Sequence, residues 1–103
     1  MDPQVITAQD DLLIRRMRLA PGEAMFWHTD RCRRFSVVIS GERLAIEFQD
    51  GGAAVEVDVQ PGLADWDEPE DRVHRAVNTG STPYEEIVTF YLTEPGQEPQ
   101  PRA

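Results

Sequence analysis

The sequence predicts an all-β domain, a sandwich or a barrel, from three observations. Turn-forming pairs that contain Gly recur along the whole chain at intervals of 10 to 19 residues, as in proteins built from short strands joined by tight turns. The runs between these turns are rich in β-branched and aromatic residues. No run of about ten residues keeps a helical period without Gly or Pro. A chain of 103 residues has room for one hydrophobic core, so we expect a single domain.

Five runs carry the strand signal: 12–19, 35–39, 44–48, 55–59 and 87–92. The runs "LAIEF" and "VEVDV" alternate apolar and polar side chains. The turn signal "QDGG" lies between them, which predicts that the two runs form a hairpin. We expect residues 1–10 to form an N-terminal strand or arm and residues 11–93 to form the barrel. The end of the chain, 94–103, is rich in Pro and Gln and poor in apolar side chains, which predicts a flexible tail.

Charge and cysteine content exclude several classes of partner and indicate a compartment. The formal net charge of −9 opposes nucleic acid and anionic membrane surfaces, so neither is an expected partner. The single Cys32 cannot form an internal disulfide. Residues 1–10 contain no basic start followed by an apolar run, and no segment approaches the length of a membrane span. We therefore expect a cytoplasmic protein.

Two motifs with defined spacing surround the two His residues of the chain. The first consists of Gly22, five residues, His28, one residue, Asp30, three residues, Arg34, six residues and Gly41. The second consists of Gly62, "LADWDE", Pro69, Glu70, Asp71, "RV", His74, "RAV" and Asn78. This pattern resembles the two motifs of the cupin superfamily, and in particular its small single-domain bacterial members. The resemblance implies a cupin-type double-stranded β-helix, also called a jelly-roll barrel.

The resemblance also implies a metal site, with changes at two of its positions. The family's ligand positions correspond to His28, Asp30, Arg34 and His74, and this chain has Asp30 where the family has His and Arg34 where it has Glu. His28 and Asp30 are two residues apart on a predicted strand, so their side chains share one face. Two imidazoles and one carboxylate suit Fe, Mn, Ni or Zn and leave coordination positions open. No nucleotide or organic cofactor is indicated.

Arg34 leaves two interpretations of this site open. A guanidinium has no lone pair for a metal, and its charge repels a divalent ion. In one interpretation Arg34 turns away from a metal held by His28, Asp30 and His74, and pairs with Asp30 or with an anionic group of a substrate. In the other it replaces the metal and pairs with Asp30, which leaves a metal-free pocket.

Other side chains are expected to line the pocket. Met17 lies on an alternating strand, Trp66 precedes the second motif, and Tyr91 lies on the last predicted strand. With Arg34, these three residues are the candidate substrate-binding set, because aromatic and apolar walls are usual in small-molecule sites. Cys32 is interpreted as an incidental thiol rather than a nucleophile.

Three functions from different classes fit these residues. The first is a small metal-dependent enzyme of oxygenase, isomerase or decarboxylase type that acts on a carboxylate-bearing metabolite. The second is a metal-free, non-catalytic barrel that binds a small anionic molecule through Arg34 and the two His residues. The third is a structural barrel that forms a homodimer through an outward apolar face of Phe35, Val37 and Ile39. The fold alone does not decide among them.

Overall fold

The computed structural model describes residues 3–102, and these residues form strands and turns without a helix. The described residues accordingly contain no helix long and apolar enough to cross a membrane. The strands are β1 (Gln4–Gln9), β2 (Leu12–Leu19), β3 (His28–Asp30), β4 (Arg33–Ser40), β5 (Arg43–Phe48), β6 (Val55–Asp58), β7 (Ala64–Asp67), β8 (Glu70–Asn78) and β9 (Tyr84–Tyr91). The all-β prediction is confirmed.

The strands form two antiparallel sheets that make up the barrel walls. The first sheet has the order β1-β2-β9-β4-β7, and the second has the order β3-β8-β5-β6. The hairpin predicted around "QDGG" is the β5–β6 pair, in which Leu44 lies opposite Val57. Each sheet joins strands that are far apart in sequence, as β9 pairs with both β2 and β4. This connectivity brings the two His-containing strands, β3 and β8, side by side.

The hydrophobic core lies between the sheets as two clusters. The larger contains Met17, Leu19, Val38, Leu44, Ala76 and Tyr84. The smaller contains Leu13, Cys32, Val88 and Phe90. Since strand side chains alternate between faces, these residues fix which face of each strand points inward. On β9 the inward face carries Tyr84, Val88 and Phe90, and the polar residues of that face are described with the site below.

Within the described residues, the N-terminal and C-terminal segments both pack against the barrel. The predicted N-terminal strand is β1, which pairs with β2 at the edge of the first sheet. The segment predicted to be a flexible tail makes contacts with the barrel: Pro99 is buried, and its carbonyl accepts hydrogen bonds from Arg15 at 3.3 and 3.4 Å. The backbone N–H of Arg102 donates to the carbonyl of Trp27 at 3.0 Å. Its flexibility stays a prediction from composition, and these contacts are the ones that would have to break for the tail to move.

Candidate metal centre and ligand cavity

The space between the sheets holds a cavity of about 330 Å³. The two sheets line it differently. The second sheet contributes mainly apolar side chains, among them Leu44, Ile46, Val57 and Ala76. The first sheet contributes most of the polar ones: Arg15, Arg34, Ser36, Asp65, Asp67, Tyr84 and Glu86. His28, Asp30 and His74 line the same cavity from β3 and β8.

The three metal-ligand candidates converge because of strand register. His28 on β3 lies directly opposite His74 on β8, and Asp30 follows His28 on the same face. His28 and Asp30 are each 3% exposed, and His74 is 9% exposed. One ligand atom from each of the three lies within 4.8 Å of the other two. The spacing predicted from the sequence thus corresponds to a three-dimensional cluster that can hold a metal ion.

The backbone orients both imidazoles. The Nδ1–H of His28 donates to the carbonyl of Phe26 at 2.9 Å, and the Nδ1–H of His74 donates to the carbonyl of Arg72 at 2.7 Å. These bonds direct each Nε2 towards Asp30: His74 Nε2 lies 2.7 Å from Oδ2, and His28 Nε2 lies 3.6 Å from Oδ1. A hydrogen bond from Nδ1–H to a backbone oxygen is the usual way in which proteins orient a metal-binding His.

Burial and charge set different proton affinities in the cluster. Burial lowers the pKa of His28, whereas the hydrogen bond with Asp30 raises the pKa of His74. Burial alone would raise the pKa of Asp30, but the hydrogen bond from His74 and the charge of Arg34 lower it overall. Asp30 is therefore an ionised carboxylate, which is the form that binds a metal.

Arg34 reaches the same carboxylate from β4. Its NH2 nitrogen lies 3.1 Å from Asp30 Oδ2 and 3.9 Å from Asp67 Oδ2. The side chain is 18% exposed and lines the cavity. Both interpretations of Arg34 include its pairing with Asp30, so this contact fits either. Oδ2 carries the contacts with Arg34 and His74, whereas Oδ1 faces His28.

Two of the candidate pocket residues lie elsewhere. Met17 lines the cavity, as expected. Trp66 and Tyr91 do not: they are 51% and 37% exposed, and their rings lie 5.4 Å apart on the outer face of the first sheet. The expectation that they line the pocket is wrong, because the inward face of β9 is the one that carries Phe90. Cys32 is a buried thiol whose pKa is raised by burial, in keeping with an incidental role.

The cavity also contains polar residues that the sequence interpretation did not select. Arg15 lies with its guanidinium 4.8 Å from the Phe90 ring centroid, and burial lowers its pKa. Alternation along β2 places Arg15 on the face of Met17, and that signal was sufficient to find it. Tyr84 and Glu86 are two residues apart on β9 and also face inward. Nothing in the motifs indicated them, since they lie outside both.

The fold and the cluster together define a class: a double-stranded β-helix barrel with two His and one Asp in its cavity. No protein-family model and no curated protein matches the chain. Among solved structures, a cupin domain from Bordetella pertussis Tohama I is similar with a TM-score of 0.75 and 20% identity, over 86% of this chain and 90% of that one.

Two further structures are similar to the chain. An uncharacterised protein with a double-stranded β-helix domain from Klebsiella pneumoniae matches with a TM-score of 0.70 and 20% identity, over 92% of this chain and 81% of that one. An oxalate oxidase in complex with the substrate analogue glycolate matches with a TM-score of 0.63 and 24% identity, over 84% of this chain but 44% of that one. The chain therefore has the cupin fold that its two motifs predict.

Proposed function

We propose that this protein is a metal-dependent cupin that binds and transforms a small carboxylate-bearing metabolite. His28, Asp30 and His74 hold a divalent ion, Fe, Mn, Ni or Zn, and Arg34 orients the carboxylate of the substrate. The observation that carries the proposal is the convergence of three buried ligand atoms within 4.8 Å, with both imidazoles oriented by backbone carbonyls. The reaction is of oxygenase, isomerase or decarboxylase type.

The donor set and the cavity support this function. A set of two His and one carboxylate leaves coordination positions for substrate and water, and the bound ion would serve as a Lewis acid or an oxygen-activating centre. The cavity of about 330 Å³ suits a small molecule. Arg34 presents five N–H donors: NH2 contacts Asp30 at 3.1 Å, NH1 donates to the Glu68 carbonyl at 3.5 Å, and the side chain lines the cavity. The similar oxalate oxidase is described with glycolate, which is itself a small carboxylate.

Elemental analysis of protein purified without a nickel column tests the metal site. We expect near-stoichiometric metal in the wild type after reloading, and loss of most of it in His74→Ala and in Asp30→Ala. Asp58→Ala is the matched control, since Asp58 is an exposed carboxylate on β6 that pairs with Arg43. Absence of metal from wild-type protein after reloading with Fe(II), Mn(II), Ni(II) and Zn(II) would contradict the proposal. Full retention in Asp30→Ala would assign Asp30 to Arg34 alone.

A metal-free binding module is the second candidate, and one observation favours it. Asp30 Oδ2 is contacted by both Arg34 at 3.1 Å and His74 at 2.7 Å, an ion cluster that satisfies the buried carboxylate without a metal. In that case small carboxylates should raise the melting temperature of metal-free protein, because they bind only the folded state. The shift should disappear in Arg34→Ala. No shift with any carboxylate in metal-free protein would remove this candidate.

A further inference from the structure

A carboxyl group lies in the part of the cavity that has apolar walls. Glu86 projects inward from β9, where its register partners on the two neighbouring strands are Met17 and Val38. The opposite wall of the cavity is formed by Leu44, Ile46, Val57 and Ala76. Neither register partner is a cation or a side-chain hydrogen-bond donor, and Glu86 is not one of the three residues of the His28, Asp30 and His74 cluster.

One oxygen of Glu86 is bonded and the other is open. The hydroxyl of Tyr84 donates to Oε2 at 2.9 Å. Within residues 3–102 Oε1 accepts no hydrogen bond, and it is not among the atoms that are sealed from solvent. Because Glu86 lines the cavity, this open oxygen is available to a molecule bound there.

The charged side chains that the structure describes around Glu86 do not include a close cation that pairs with its carboxyl group. Arg34 is the one cation that acts on it appreciably, and that guanidinium is 3.1 Å from Asp30. The carboxylates of Asp67 and Asp30 act on it with the opposite sign. Burial raises the pKa of Glu86 to about 7, which shows what desolvation without a close cation does to a carboxyl group.

We infer that Glu86, held by Tyr84, is a second ligand-binding site in the cavity and accepts a hydrogen bond from a hydroxyl or ammonium group of the substrate. This inference rests on the proposed function and narrows its substrate class. The substrate is a small acid whose carboxylate lies at the Arg34 end of the cavity and whose donor group lies at the Glu86 end. An acid without such a donor leaves Oε1 unpaired.

The charge of the cavity lining supports a ligand with a donor group. Four carboxyl groups, Asp30, Asp65, Asp67 and Glu86, line the cavity together with two guanidiniums, Arg15 and Arg34, and Glu86 is only partly ionised near neutral pH. A divalent ion at the proposed centre would balance this excess of negative charge. The balanced cavity then favours a monocarboxylic acid with a hydroxyl or an ammonium group over a dianion, which would add negative charge beside Glu86.

Strand register gives the length of that acid. Arg34 lies opposite Phe90 on β9, and Glu86 is two inward positions further along the same strand. The two residues are therefore separated by about 13 Å along the strand axis, before the lengths of their side chains are subtracted. Side chains that lean towards each other along the sheet shorten this span, so short acids of about four carbons, with the donor at the end opposite the carboxylate, are the probes that test it.

Calorimetric titration of the metal-loaded full chain tests the inference with three probes: butyrate, 4-hydroxybutyrate and 4-aminobutyrate. We expect the wild type to bind at least one donor-bearing acid about tenfold more tightly than butyrate, as a charge-assisted hydrogen bond in a partly buried site provides. Glu86→Met should bring all three affinities within about twofold of one another. Glu86→Gln keeps an acceptor for Tyr84 but removes the charge, so it should abolish a preference for the ammonium and largely keep a preference for the hydroxyl.

Glu85→Gln is the matched control, because Glu85 is the adjacent residue on β9 and pairs with Arg18 on the outer face. It should retain the wild-type preference. Wild-type protein that binds butyrate as tightly as both other acids, or a preference that survives in Glu86→Met, overturns this inference and leaves the proposed function standing. Failure of all three acids to bind, with metal present, overturns the carboxylate substrate and this inference together.

Discussion

At the scale of single residues, Asp30 is the centre of the site. It is 3% exposed and contacts three partners: His28, His74 and Arg34. His74 already uses its Nδ1–H on a backbone carbonyl, so its 2.7 Å contact with Asp30 requires a proton on Nε2 as well. A metal ion would take the place of that proton. The two interpretations of Arg34 thus differ in whether a metal ion or a proton lies between His28, Asp30 and His74.

Replacement of Arg34 by Gln tests whether its positive charge opposes metal binding at the cluster. We expect Arg34→Gln to bind a divalent ion about tenfold more tightly than the wild type, because it removes a positive charge a few ångströms from the ion. The same variant should lose most of its affinity for small carboxylates. Competition with a chromophoric chelator measures the first effect, and calorimetry measures the second. Arg33→Gln, on the outer face, is the control. Weaker metal binding in Arg34→Gln would show that Arg34 supports the site by holding Asp30.

Glu86 predicts a pH dependence of stability that its substitution should remove. Its pKa is about 7 in the folded protein against an ordinary value of 4.5. Between these values the folded state binds more protons than the unfolded state, so this group makes stability fall as pH rises from about 4.5 through 7. Relative to Glu86→Gln, the wild type should lose up to about 3 kcal/mol of unfolding free energy between pH 4.5 and pH 8.

Urea denaturation of metal-free protein at several pH values measures this difference. The comparison between wild type and Glu86→Gln cancels the titration of every other group that the two proteins share. Parallel pH profiles for the two proteins would mean that Glu86 has an ordinary pKa in the fold. The control Glu85→Gln should follow the wild-type profile, since Glu85 pairs with Arg18 at 2.6 Å outside the cavity.

At the scale of elements, the end of β8 and the turn to β9 depend on one amide. Asn78 is 0% exposed, and its Nδ2 donates to the carbonyls of Leu19 at 3.0 Å and Thr82 at 2.9 Å. Its Oδ1 accepts from the N–H of Gly80 at 2.9 Å. These bonds join β2, β8 and the start of β9, the strands that hold His74 and Glu86 in register. The Asn of the second motif therefore has a structural role.

Substitution of this amide should destabilise the barrel without touching the cluster directly. Asn78→Ala removes three hydrogen bonds made by a fully buried amide, so we expect a loss of about 2–4 kcal/mol. Ser81→Ala, an exposed change in the same turn, should cost less than about 0.5 kcal/mol. Chemical denaturation of the two variants gives both values. An Asn78→Ala protein as stable as Ser81→Ala would contradict this role.

Sequence patterns predicted some elements well and others poorly, for physical reasons. β2 and β5 carry an apolar face that alternates with polar residues, and their bounds lie within one residue of the prediction. β8 was not predicted as a strand, since "EDRVHRAVN" is mostly polar and becomes a strand through pairing with β5 and β3. The His28, Asp30 and His74 cluster followed from motif spacing. Tyr91 was misplaced because alternation gives two faces but does not say which one points inward.

At the scale of the whole molecule, the outer face of the first sheet carries several exposed apolar side chains. Ile39, Trp66 and Tyr91 are 43%, 51% and 37% exposed and lie on β4, β7 and β9, which are adjacent. Phe35 contacts Trp66 on the same face, with ring centroids 4.9 Å apart. Exposed clusters of apolar side chains are typical of protein–protein contacts. The outward face of Phe35, Val37 and Ile39 that the sequence predicts therefore also includes Trp66 and Tyr91 from the neighbouring strands.

We propose that this face pairs two copies of the chain about a two-fold axis, because such an axis makes one apolar patch its own partner. Light scattering coupled to size-exclusion chromatography should give a dimer for the wild type and a monomer for Ile39→Glu, which places a charge from each copy in the contact. Val55→Glu is the matched control: Val55 is 51% exposed but lies on β6 of the second sheet. It should leave the dimer intact. A monomeric wild type at micromolar concentration would contradict the dimer, and dissociation by Val55→Glu alone would move the contact to the second sheet.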